Sequence, residues 1–263
     1  MSYEITQADD HFFWGPPNKP EIGYSIQKSL NSLSSFLLNN MKMNIAPYID
    51  HTVLKQTTTI ADVEKVCKEA LEYGFAAVCV PPLYVKKAGE LLSDSEIKVA
   101  TVIGFPFGYC AIEAKVAEMV LAIVDGADEL DMVTNVSAIK NGDWTFIANE
   151  INTVMPLVRN KNKVIKVIIE SGSLTDDEII KCCDIYGVAG VDYVKTSTGF
   201  GEKGASIHDV QLIRAHLSDA IKIKASGGIR SYSFAKELIN AGANRLGCSA
   251  SVAIVHEGRQ RKD

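Results

Sequence analysis

From about residue 45 onward, short apolar runs alternate with amphipathic stretches of about 12–18 residues. No other feature of the chain limits its fold as much. The strand candidates are 47–54 (PYIDHTVL), 75–80 (FAAVCV), 98–103 (KVATVI), 129–134 (ELDMVT), 163–169 (KVIKVII), 191–196 (VDYVKT), 221–226 (IKIKAS) and 244–248 (NRLGC). Helix candidates fall between them at 60–73, 83–93, 111–125, 144–160, 175–186, 206–217 and 231–241, with a short one from 249. Thr59, Thr175 with Glu178 three residues on, and Ser206 supply helix starts. Gly74, Gly126, Gly187 and Gly242 supply helix ends. Eight such strand–helix units fit a closed (β/α)8 barrel or an open doubly wound sheet. An open sheet that binds dinucleotides carries G-x-G-x-x-G after its first strand. Here that position reads LKQTTT, so the pattern favours a single-domain α/β fold, a (β/α)8 TIM barrel over 43–256.

The flanks carry less. In residues 1–42, Pro16, Pro17 and Pro20 break any regular element. Ile26, Leu30, Leu33 and Leu37 predict at most one short amphipathic helix over 25–40 in an otherwise irregular extension. Residues 257–263 read as a C-terminal tail. The 263 residues carry a net charge of −5 and 47% hydrophobic side chains, which suits a globular chain and not a nucleic-acid binder. The one basic cluster, Arg259, Arg261 and Lys262, reads as a solvated tail. No apolar stretch reaches the ~18 residues of a membrane span. The 6 cysteines form neither C-x-x-C nor a zinc-like Cys/His spacing, and the start shows no secretory pattern. Those features point to a reducing, cytoplasmic compartment.

Parallel strands covered on both faces should read as nearly continuous apolar runs. Asp50, Asp131, Lys166, Lys195, Lys222 and Lys224 break that rule. A lysine near the bottom of the barrel can reach water, which is the plain reading for Lys166 and Lys222, and Asp50 can cap a turn. Lys195, Lys224 and Asp131 sit near the C-terminal ends of three different strands, where barrel active sites collect. Period-two alternation puts Tyr193, Lys195 and Ser197 on one face. Two ammonium groups ~4 Å apart at an effective dielectric of ~20 repel by about 4 kcal/mol. That repulsion lowers one lysine by about 3 units from ~10.4, with burial adding more. A lysine titrating near ~7 is a competent amine nucleophile toward a carbonyl. Asp131 then suits the acid/base work of a Schiff base, and Asp50 and Lys166 extend the relay.

The last two strand ends read as an anion site. Gly227 and Gly228 follow the seventh strand, and Gly247 with Ser249 opens a short helix after the eighth. Loops in those places often hold phosphate in such barrels, through backbone N–H groups and a helix N-terminus.

Segments in order along the chain resemble the deoxyribose-phosphate aldolase family: IDHTVL (49–54), AAVCVPP (76–82), GFPFG (104–108), GADELDMV (126–133), KVIIESG (166–172), VDYVKTSTGFG (191–201), KASGGIR (224–230) and NRLGCSAS (244–251). The resemblance spans about residues 45–256, and KTSTGFG together with KASGGIR is its most specific part. It implies a class I aldolase with neither metal nor cofactor, which reversibly joins acetaldehyde to D-glyceraldehyde 3-phosphate. It implies that Lys195 is the Schiff-base lysine, that Lys224 lowers its pKa, and that Asp131 works through a water. Asp50, Lys166 and Cys79 match supporting positions. Thr198, Gly199, Gly227, Gly228, Gly247 and Ser249 lie where the family holds phosphate. The expected partners are small molecules and a second copy in a homodimer. The C-terminal tyrosine that assists proton abstraction in some members is missing, since the last tyrosine here is Tyr232. His51 reads as a structural hydrogen-bonding group. The competing readings are a phosphate-binding barrel isomerase or lyase using carboxylates, and a sugar-phosphate sensor without turnover.

Overall fold

The computed structural model of the protein describes residues 43–260. Its eight strands are β1 (Ile49–Thr52), β2 (Ala77–Val80), β3 (Lys98–Ile103), β4 (Glu129–Val133), β5 (Val164–Ile168), β6 (Tyr193–Lys195), β7 (Lys222–Ser226) and β8 (Arg245–Cys248). They pair in parallel, in chain order, and β8 closes onto β1, so the barrel alternative is the one realised. The described helices are α1 (Ile60–Tyr73), α2 (Val85–Leu92), α3 (Ile112–Val124), α4 (Val136–Lys140), α5 (Trp144–Asn160), α6 (Asp176–Ala189), α7 (Ile207–His216), α8 (Tyr232–Asn240) and α9 (Ser251–Gln260).

Local chemistry starts and stops these elements. The Thr59 hydroxyl accepts from Asp62 N–H and the Asp62 carboxylate accepts from Thr59 N–H, a capping box; Thr175 and Glu178 form a second. Ser206 and Ser231 cap α7 and α8 by accepting from N–H groups three residues on. Gly74 ends α1 in the left-handed region at φ 69°.

Three expectations are corrected. Gly187 does not end α6, which runs two residues further and turns at Gly190, φ 67°; either glycine could take that backbone, and Val188 and Ala189 continue the helix. The turn between β4 and α5 holds the short helix α4, capped by Asn135; 5 residues are too few to show helical periodicity. The last helix starts at Ser251 and continues to Gln260, past the boundary expected at 256. The 25–40 helix and the final residues of the tail lie outside the described residues.

The barrel sorts side chains by period two. Outward residues such as Ile49, Val78, Leu130, Val167, Val194 and Leu246 are buried against the helices in one core. Each such apolar side chain contributes about 1.5–3 kcal/mol relative to exposure. Inward residues divide into two walls. On β2 and β3 they are small and apolar: Ala77, Cys79, Ala100 and Val102, with Leu54 and Phe105 packed against them. On β1 and β4 to β8 they are largely charged.

A fully buried ion pair joins two of the helices beneath the barrel wall. Lys115 on α3 is fully buried and donates to Glu150 Oε1 on α5 at 2.6 Å and to the Val133 carbonyl at 2.7 Å. The Thr134 hydroxyl donates to Glu150 Oε2 and accepts from Tyr186 of α6. Removing one partner of a buried pair strands the other charge. Lys115→Met should therefore cost about 3–5 kcal/mol in urea unfolding, and adding Glu150→Leu should recover most of it.

Candidate active site

Lys195 is the last residue of β6 and lies in register with Lys224 of β7. Adjacent parallel strands run about 4.8 Å apart, so both side chains enter the same interior space. Asp131 projects inward from β4 and takes them on one oxygen: Lys195 Nζ donates to Oδ2 at 2.8 Å and Lys224 Nζ donates to the same atom at 2.7 Å. Lys166 of β5 donates to the other oxygen, Oδ1, at 2.7 Å. Asp50 of β1 accepts from Lys224 and from Arg245 of β8, with Lys166 Nζ 3.7 Å away. The structure therefore brings Asp50, Asp131, Lys166, Lys195 and Lys224 into one buried network.

The network contains two members that the sequence reading did not single out. Glu129, two residues before Asp131, meets Lys166 at 2.6 Å and accepts from Arg245 at 2.6 Å. Both Glu129 and Arg245 start their strands, where a charge reads as reaching water; both are buried instead. Lys222 does face solvent, over the Tyr193 ring. Lys166 is fully buried, which sets aside the alternative that it reaches water and fits the one that it extends the relay.

These contacts separate the two central lysines. Burial pushes Lys195 below the ordinary lysine range; Asp131 opposes the shift, and the neighbouring Lys224 adds to it. Burial also acts against the Lys224 ammonium, but Asp131 and Asp50 outweigh it and raise its pKa. Desolvation, and not lysine–lysine repulsion as expected, leads the depression of Lys195. Burial likewise opposes ionisation of Asp131, yet Lys166, Lys195 and Lys224 hold its carboxyl well below the usual carboxylate range.

Cys79 faces the interior from β2, among Ala77, Ala100 and Val102. Burial, followed by the Asp131 charge, pushes its thiol up to about 11, so it packs there as a small neutral side chain. His51 meets Ser251 Oγ through Nδ1 at 2.9 Å and Glu69 through Nε2 at 2.7 Å, the structural hydrogen bonding expected of it.

Above the network opens a cavity of about 460 Å³, within the usual range for small-molecule sites. Lys195 reaches it, together with Thr198, Gly199, Gly227, Gly228, Gly247 and Ser249. The cavity also gathers Lys55 and Arg230, two cations the sequence reading left unassigned although Arg230 follows the glycine pair directly. Thr198 holds a different position from a free donor: its N–H and hydroxyl both donate to Glu170 Oε2, at 3.1 and 2.5 Å. Glu170 follows β5 in the left-handed region at φ 53°, which no sequence signal marks. Gly204 underlies the glycine turn so closely that a Cβ there would lie 2.2 Å from the Gly227 carbonyl oxygen.

A profile described as DeoC/LacD family aldolase matches residues 45–253. The chain belongs to that family. It is thus an aldolase, and two curated relatives are similar over nearly their whole length. The deoxyribose-phosphate aldolase of Caldanaerobacter subterraneus subsp. tengcongensis is 50% identical over 220 residues, covering 83% of this chain and 95% of the relative. That of Caldicellulosiruptor saccharolyticus is 51% identical over 217 residues, covering 82% and 99%. Among solved structures, the tetrameric deoxyribose phosphate aldolase of Aeropyrum pernix superposes with a TM-score of 0.79 at 31% identity, covering 85% of this chain and 95% of that one.

The cations around Asp50 hold its carboxyl at about 2 against an ordinary 3.8, although burial opposes ionisation. A carboxyl lowered on folding stabilises the fold above its unfolded value, and that stability is lost as pH falls through the folded value. The urea midpoint should accordingly fall between pH about 4 and about 2, and fall less steeply in Asp50→Asn.

Proposed function

We propose that this chain cleaves 2-deoxy-D-ribose 5-phosphate reversibly to D-glyceraldehyde 3-phosphate and acetaldehyde through a Schiff base on Lys195. The observation that carries this reading is the shared Asp131 oxygen, which leaves the buried amine with the depressed pKa, Lys195, at the floor of the cavity. An amine that is neutral near neutral pH can attack the C1 aldehyde. The carbinolamine then loses water to give the iminium. The iminium draws in the electrons of the C2–C3 bond as the C3 hydroxyl gives up its proton. That step releases glyceraldehyde 3-phosphate and leaves an enamine on Lys195. Protonation at C2 and addition of water return acetaldehyde and the free lysine. In this reading Asp131 passes these protons through a water, while Lys224 and Lys166 keep it ionised. Asp50 holds Lys224 in place.

In this reading the substrate phosphate rests on the glycine turns. Gly199, Gly227, Gly228, Gly247 and Ser249 line one side of the cavity, just ahead of the N-terminus of α9. Backbone N–H groups and a helix N-terminus favour an anion there, and Lys55 and Arg230 add positive charge. Thr198, held by Glu170, fixes the path of the loop. The reading extends to a homodimer and to a reducing cytoplasm, the latter supported by 6 cysteines that are all free thiols.

Borohydride added with acetaldehyde should trap a reduced adduct on Lys195, located by peptide mass spectrometry. Lys195→Ala should lose both adduct and turnover, and a chelator should leave the rate unchanged. A carboxylate-based isomerase or lyase would instead keep much of its rate in Lys195→Ala and lose it in Asp131→Asn. A second expectation concerns the phosphate. Gly204→Ala should displace Gly227 and raise KM for deoxyribose 5-phosphate about tenfold, the loss of about 1.4 kcal/mol of binding. The same variant should leave KM for unphosphorylated deoxyribose nearly unchanged.

A further inference from the structure

Among the described residues the barrel's interior charges form a closed tally. Three carboxylates, Asp50, Glu129 and Asp131, are packed against four cations, Lys166, Lys195, Lys224 and Arg245. With all four cations charged, the interior carries one positive charge in excess, and uncompensated buried charge is costly. The contacts show which cation is surplus. Lys166 meets both Glu129 and Asp131, Lys224 meets both Asp50 and Asp131, and Arg245 meets both Asp50 and Glu129. Lys195 meets only Asp131, on an oxygen already taken by Lys224. The other titratable group acting on it is Cys79 of β2, while β3 contributes Ala100 and Val102; the Tyr193 ring of β6 lies under Lys166 instead.

We propose that Arg245 is a positioning residue for the aldol reaction: by bridging Asp50 and Glu129 it completes the charge balance without Lys195, and so leaves that amine unprotonated. The inference rests on the Schiff-base reading above. Arg245 touches no reacting atom in this arrangement. It acts by satisfying two carboxylates that would otherwise call for a proton, and an arginine suits the task because it stays charged at every working pH. Without it the interior holds three acids against Lys166 and Lys224, and protonating Lys195 restores neutrality. Removing Glu129 as well leaves two acids against two lysines, and Lys195 is surplus again.

The test reads the pH at which Lys195 is half-trapped by acetaldehyde and cyanoborohydride, with the adduct identified by peptide mass. Arg245→Gln should move that midpoint to higher pH by about one unit, lowering trapping near pH 7 about tenfold. The double variant Arg245→Gln with Glu129→Gln should return it to the parent position, and Arg245→Lys should hold it there. Glu129→Gln alone, which leaves cations in excess, should move it to lower pH and serves as the second probe if Arg245→Gln does not fold. A merely structural arginine would lower yield or stability in these variants without displacing the midpoint in opposite directions. Coincident midpoints, an alkaline shift in Glu129→Gln, or a double variant that stays displaced would overturn the proposal. A parent that traps nothing on Lys195 overturns the Schiff-base reading itself; a parent that traps while the variants do not shift overturns only the role of Arg245.

Discussion

The structure depends on a single carboxylate oxygen that accepts from two lysines at once. Asp131 Oδ2 ties the end of β6 to the middle of β7, and Oδ1 ties β4 to β5. In water such a contact would be worth little. Inside a closed barrel it has no substitute for Lys166 and Lys224, which are fully buried, while Lys195 alone of the three meets the cavity. It also divides labour between two chemically identical side chains. Lys224 has a second carboxylate, Asp50, and its pKa is raised; Lys195 has none and its pKa is lowered.

The apolar wall formed by β2 and β3 completes this division. Ala77, Cys79, Ala100 and Val102 offer no charge and no strong hydrogen-bonding group to Lys195. A polar residue there would solvate the ammonium form and reverse the desolvation that lowers its pKa.

Much of this was legible in the chain. Alternation of apolar runs placed the eight strands, and charges at neighbouring strand ends placed Lys195 and Lys224 together. Charges within expected buried strands marked Asp50, Asp131 and Lys166 as members of a site. What stayed hidden depends on closure. Arg245 and Glu129 look unremarkable at the starts of their strands, and their roles emerge only when β8 meets β1. Gly187 and Gly190 are equivalent as helix stops until the helix packs. Glu170 gives no hint of its left-handed backbone or of its hold on Thr198, and the five-residue α4 is too short for any pattern. The weighting of desolvation against repulsion at Lys195 likewise needs the burial of the finished barrel.

The distances along the chain between these charged partners bear on how the protein acquires its structure. Arg245 and Asp50 are 195 residues apart, and Lys224 and Asp50 are 174 apart. A partial barrel lacking its first strand would take Asp50 from Lys224 and Arg245, and one lacking its last would take Arg245 from Asp50 and Glu129, leaving each buried charge with fewer counter-ions. The polar interior therefore weighs against stable half-barrels and favours a fold whose first and last strands close together.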